Sequence, residues 1–83
     1  MNSLEKLGFK VLLDYTRYNG RREIMYISGD EKIAVSFQSL FENEPFIQIN
    51  FGGNLLSNDE MIELNNAINE YWNENKDKFK RGE

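Results

Sequence analysis

Ser57-Asn58-Asp59-Glu60-Met61-Ile62-Glu63-Leu64-Asn65-Asn66-Ala67-Ile68-Asn69-Glu70-Tyr71-Trp72 is the stretch on which the fold turns. Its first four residues form a capping box: the Ser57 hydroxyl can accept a third-position amide, and Glu60 can reach back to the cap. Met61, Leu64, Ile68, Tyr71 and Trp72 then recur at intervals of three and four, the apolar stripe of a helix lying on a sheet. The opposite face reads Asp59, Glu63, Asn66, Glu70, Asn73 and Asp77, with acids early and lysines late, as the helix dipole prefers. Order is expected to fade from about residue 77 to 83, with Phe79 holding one more turn against the core.

A helix with one apolar stripe needs a partner layer, and the preceding residues supply strands. Phe46 to Phe51 alternates, with Ile47, Ile49 and Phe51 inward and Gln48 and Asn50 outward, before Gly52-Gly53-Asn54 breaks the pattern. Lys32 to Gln38 alternates likewise, with Ile33, Val35 and Phe37 on one face. Ser39 to Glu44 reads as a loop or helical turn ended by Pro45. Glu23 to Ile27 is apolar on both faces, which suits a central strand. It is joined to the next strand by a turn at 28–31 and to the previous one by Asn19-Gly20, whose residues tolerate the positive φ of a tight hairpin. In the first strand Phe9, Val11, Leu13 and Tyr15 alternate as one face, leaving Lys10, Leu12 and Asp14 toward solvent. Ser3 to Gly8 reads as a brief helical turn stopped by glycine. The expected fold is therefore α+β: a four-stranded, mostly antiparallel sheet, its first three strands a meander, packed against one long C-terminal helix after a short N-terminal helical turn.

Eighty-three residues make one domain, 1–83, near the lower end of what a single core supports unaided. Eleven aromatic rings, each able to bury about 150–250 Å², supply that core without disulfides. There is no cysteine and no histidine, which excludes thiolate chemistry, cysteine-based zinc sites and the usual general base near neutral pH. No cofactor motif is present. Gly52-Gly53-Asn54 lacks the lysine and hydroxyl of a phosphate-binding loop, and the acids at 59, 60 and 63 lack the spacing of a calcium loop. The chain reads as non-enzymatic. With no cysteine framework, signal-like run or membrane-length apolar segment, the expected location is the cytoplasm, without membrane association.

Net charge is −4, unevenly spread. From Glu42 to Glu74 there are seven acids (Glu42, Glu44, Asp59, Glu60, Glu63, Glu70, Glu74) and no lysine or arginine. Residues 1–41 hold five acids against six bases, with Arg17, Arg21 and Arg22 close together, and the C-terminus turns basic at Lys76, Lys78, Lys80 and Arg81. Two surfaces follow. Glu42, Glu44, Asp59, Glu63, Glu70 and Glu74 form a candidate contact for a partner protein with a basic surface. Arg17, Arg21 and Arg22, with Tyr15 and Tyr18, form an alternative site for single-stranded nucleic acid, where cations hold phosphates and rings stack on bases. Homo-oligomer assembly through a strand edge or the free sheet face is a third possibility.

Leu4-Glu5-Lys6-Leu7-Gly8-Phe9, the short strands, and the capped Glu63-Leu64-Asn65-Asn66-Ala67-Ile68 helix together resemble small uncharacterised proteins encoded by phages and prophages of low-GC Gram-positive bacteria. The resemblance is one of architecture over most of the chain and carries no functional residues across. It implies a protein that binds and modulates a host or phage protein. Small acidic phage inhibitors, including CRISPR inhibitors that occupy a nuclease's DNA-binding channel, share this size, charge sign and α+β style.

Overall fold

Local signals start both helices. In a computed structural model of the chain, which describes residues 2–16, 22–41 and 44–79, α2 spans Asn58–Asn75 and begins at the expected box. Ser57 Oγ accepts from the Glu60 N–H at 3.1 Å, and Glu60 Oε1 accepts from the Ser57 N–H at 3.0 Å. The short helix α1, Ser3–Lys6, carries a second capping box built from Asn2 and Glu5.

Four strands follow α1 in chain order: β1 Lys10–Thr16, β2 Arg22–Ile27, β3 Ala34–Phe41 and β4 Glu44–Asn50. They pair only with their sequence neighbours and always antiparallel, so the sheet is a single meander, β1-β2-β3-β4. Residues opposite one another in an antiparallel register share a face. Ile24 and Tyr26 of β2, Val35 and Phe37 of β3, and Ile47 and Ile49 of β4 therefore form the face under α2. Leu64, Ala67, Ile68 and Tyr71 of α2 meet them, and Leu4, Phe9 and Phe79 close the ends of this core.

Phe37, fully buried, is the hub. Its ring lies 4.5 Å from Tyr71, 6.4 Å from Tyr26, 6.2 Å from Phe79, and is stacked on Trp72 at 6.2 Å. Such ring pairs add about 0.5–1.5 kcal/mol beyond the area they bury. Ala67 is the core residue that the apolar spacing passes over. Its small side chain lets α1 approach, and buried Ser3 donates its hydroxyl to the Ala67 carbonyl at 2.8 Å.

Two expectations change. The alternation in the first strand breaks at a bulge, because the register shifts between Val11 and Leu13 and leaves Leu12 unpaired. One extra residue moves everything beyond it to the other face. Leu13 and Tyr15 thus stand with Met25 and Glu23 on the uncovered face, while Asp14 stands with Ile24 on the side of α2. Val11, Leu12 and Leu13 are 49%, 56% and 38% exposed, since β1 is the outermost strand.

Second, residues 39–41 and residue 44 are strand, where a loop or helical turn over 39–44 was expected. β3 runs on to Phe41 and β4 starts at Glu44, with a register shift between Gln38 and Phe41. Pro45 does not end the pattern, because β4 is an edge strand and a missing N–H is tolerated there. The chain continues past α2 as a 3₁₀ turn, Lys76–Phe79, which delivers Phe79 to the core at 2% exposure. The one further turn expected for Phe79 is present. The Asn19-Gly20 turn and residues 80–83 lie outside the described residues.

Among the described residues no helix is long and apolar enough to cross a membrane.

Candidate functional site

α2 turns two kinds of surface outward. Asp59, Glu63, Glu70 and Glu74 are all exposed. At about 100° per residue the four fall within an arc of about 60°, and the run from 59 to 74 covers about 22 Å of helix. They form a stripe along one side of α2, with Asn66 and Asn73 at neighbouring positions on the same side. Among the described residues no three acids converge as a metal ion would require. Glu60 belongs to the same turn, but its carboxylate is engaged by the cap. The Ser57 backbone N–H, and then the Ser57 hydroxyl, hold its pKa below the ordinary 4.5, which keeps it charged. Of the remaining sequence candidates, Glu42 lies outside the described residues, and Glu44 opens β4 with its side chain outside them as well.

Where Leu7 and Phe9, just after α1, come near the first turns of α2, the structure leaves an open cleft of about 130 Å³. Leu7 and Phe9 form one wall, and Ile33, Leu56 and Leu64 form the others. Glu60 and Glu63 also line it. Glu63 is thus shared between the acidic stripe and an apolar depression. Sequence reasoning missed this cleft, because its walls come from four separate segments of the chain.

The opposite side of the molecule is the uncovered sheet face. A polar ladder crosses three of its strands. Tyr15 donates its hydroxyl to Glu23 Oε1 at 2.9 Å, Ser36 donates to Glu23 Oε2 at 3.2 Å, and Gln38 Nε2 donates to Ser36 Oγ at 2.8 Å. Ser36 and Gln38 are only 4% and 8% exposed despite facing away from α2. Both oxygens of Glu23 are therefore engaged by hydroxyls. Alternation alone placed Ser36 and Gln38 on this face, but their connection to Tyr15 and Glu23 depends on cross-strand register.

The arginine hairpin divides differently. Tyr15 stands on the uncovered face with its hydroxyl on Glu23, whereas Arg22, opposite Thr16 and two residues from Ile24, stands on the side of α2. Its guanidinium meets Asp14 at 3.3 Å, with the arginine side chain 28% and the aspartate 46% exposed. The two described members of that candidate site thus lie on opposite faces of the sheet. Arg17, Tyr18 and Arg21 lie outside the described residues.

Comparison with family models, with curated proteins and with solved structures finds no match to this chain.

Proposed function

We propose that this chain is a non-enzymatic interaction module that binds and modulates a basic host or phage protein through the acidic side of α2. The observation that carries this reading is the exposed stripe of Asp59, Glu63, Glu70 and Glu74, within a stretch from Glu42 to Glu74 that contains no lysine or arginine. A rigid helix holds the four charges in fixed positions, so a partner's lysines and arginines meet them without ordering a loop first. Four carboxylates over about 22 Å stand ~7–8 Å apart on average, sparser than a nucleic-acid strand with one charge per ~3.4 Å of axis. That density suits a protein groove lined with a few bases, as in an inhibitor or a partial DNA mimic. The resemblance to small phage proteins supports such a role and a cytoplasmic setting.

Each exposed ion pair contributes only about 0–1 kcal/mol, so the interface depends on several together and weakens as salt screens them. Reversing Glu63 and Glu70 to lysine removes two attractions and adds two repulsions. The double variant should lose at least about tenfold in affinity at low salt, by ~1.4 kcal/mol or more, with an unchanged thermal melt. Equal capture by wild type and variant would exclude this surface. The alternative, single-strand binding by Tyr15, Arg17, Tyr18, Arg21 and Arg22, requires salt-sensitive retardation of a labelled oligonucleotide that disappears in the triple Arg→Ala variant.

A further inference from the structure

We infer that the cleft between the residues just after α1 and the first turns of α2 is the anchor point of that same interface, and that it takes one aliphatic side chain flanked by lysine or arginine in the partner's chain. This rests on the acidic stripe being the contact surface. Three observations lead to it. Five of the cleft's seven lining residues are apolar, Leu7, Phe9, Ile33, Leu56 and Leu64. Its volume, about 130 Å³, is close to the ~150 Å³ apolar cavity that holds one benzene ring, so there is room for a single leucine, isoleucine or methionine side chain. Glu60 and Glu63 line the same cleft, and Glu63 continues into Glu70 and Glu74 along α2. An apolar residue entering here therefore brings its chain neighbours beside carboxylates, where bases are favoured and acids repelled. Interfaces that rely on rim charges alone are weak, and a buried apolar anchor is what converts such a surface into a specific one. The acidic lining also disfavours a second copy of this chain as the occupant, since its own stripe would meet like charge.

The test uses two synthetic probes, acetyl-Lys-Lys-Leu-Lys-Lys-amide and the same peptide with serine at the centre, titrated into the full-length ¹⁵N-labelled protein at low salt. The leucine peptide should bind about fivefold to tenfold more tightly, the share of a ~1.5–3 kcal/mol side-chain burial that an open cleft can return. It alone should move the amide resonances of Leu7, Phe9, Ile33 and Leu64, while both peptides move those of Glu63 and Glu70. The variant Leu56→Phe, which enlarges one of the cleft's lining side chains and is checked for an unchanged melt, should erase the leucine advantage and leave the serine peptide's affinity, which rests on the stripe, alone. Equal affinities of the two peptides for the wild type, with shifts confined to α2's outer face, would overturn the anchor and leave the stripe standing. No shift with either peptide would overturn both.

Discussion

Gly52 has φ +58° and almost no room: a Cβ there would stand 2.7 Å from the Lys32 carbonyl oxygen, which belongs to the backbone entering β3. Gly53, at φ +80°, has nothing within 4 Å. Both need the left-handed region that glycine enters freely, but only the first also meets a fixed obstacle. Gly52→Ala should cost about 2 kcal/mol or more and Gly53→Ala about 1 kcal/mol, read as the difference in urea midpoints. Equal costs would mean that the Lys32 contact relaxes. Two carboxylates make stability depend on pH. Glu60 is held below its ordinary 4.5 chiefly by the Ser57 N–H, and Asp30 below its ordinary 3.8 chiefly by the Ser28 hydroxyl, which donates to it at 2.6 Å. A carboxyl whose pKa is lower folded than unfolded contributes fully above the unfolded value, and that contribution is lost as pH falls through the folded value. Stability should therefore decline as pH drops below the ordinary values of 4.5 and 3.8. The Glu60→Gln, Asp30→Asn double variant should show a shallower acid slope in chemical denaturation between pH 6 and about pH 2. An unaltered slope would assign the acid sensitivity to other groups.

At the scale of elements, Phe79 tests whether the 3₁₀ turn is part of the fold. Its ring is 2% exposed and lies 5.5 Å from Trp72 and 6.2 Å from Phe37. Phe79→Ala should cost about 3–5 kcal/mol, a large share of the ~4–12 kcal/mol expected of a domain this size. A loss under ~1 kcal/mol by thermal denaturation would show that the chain after α2 adds little. Elements were legible in proportion to how local their causes are. The Ser57–Glu60 box and the three-four spacing of Leu64, Ile68 and Tyr71 act within one helix, and α2 starts where they place it. Val35 and Phe37 alternate within one strand and are both fully buried. The bulge at Leu12 was not legible, since an unpaired residue exists only relative to β2. The strand residues at 39–41 and 44 were not legible either, because Pro45 forbids a central strand but not an edge. Neither the register nor the edge position is written in a single segment.

At the scale of the whole molecule, the chain presents two unlike surfaces. The uncovered sheet face is occupied in its middle by the Tyr15–Glu23–Ser36–Gln38 ladder, whose members are spread over 24 residues of sequence and meet only through strand pairing. The side of α2 carries the exposed stripe of Asp59, Glu63, Glu70 and Glu74 beside the cleft. Charge counting found the stripe, since helical spacing converts positions 59, 63, 70 and 74 into one line. It missed the cleft, whose walls Leu7, Ile33, Leu56 and Leu64 are brought together only by the finished fold. The acidic side of α2 as a protein-binding surface is the central claim, and one pull-down tests it most directly. Three tagged baits, wild type, Glu63→Lys with Glu70→Lys, and Arg17, Arg21 and Arg22→Ala, are placed in nuclease-treated bacterial lysate and washed at low and then moderate salt. One stoichiometric basic protein should be retained by the wild type and by the arginine variant, released by salt, and absent from the stripe variant. Retention of the same protein by the stripe variant, or its loss only in the arginine variant, would contradict the claim.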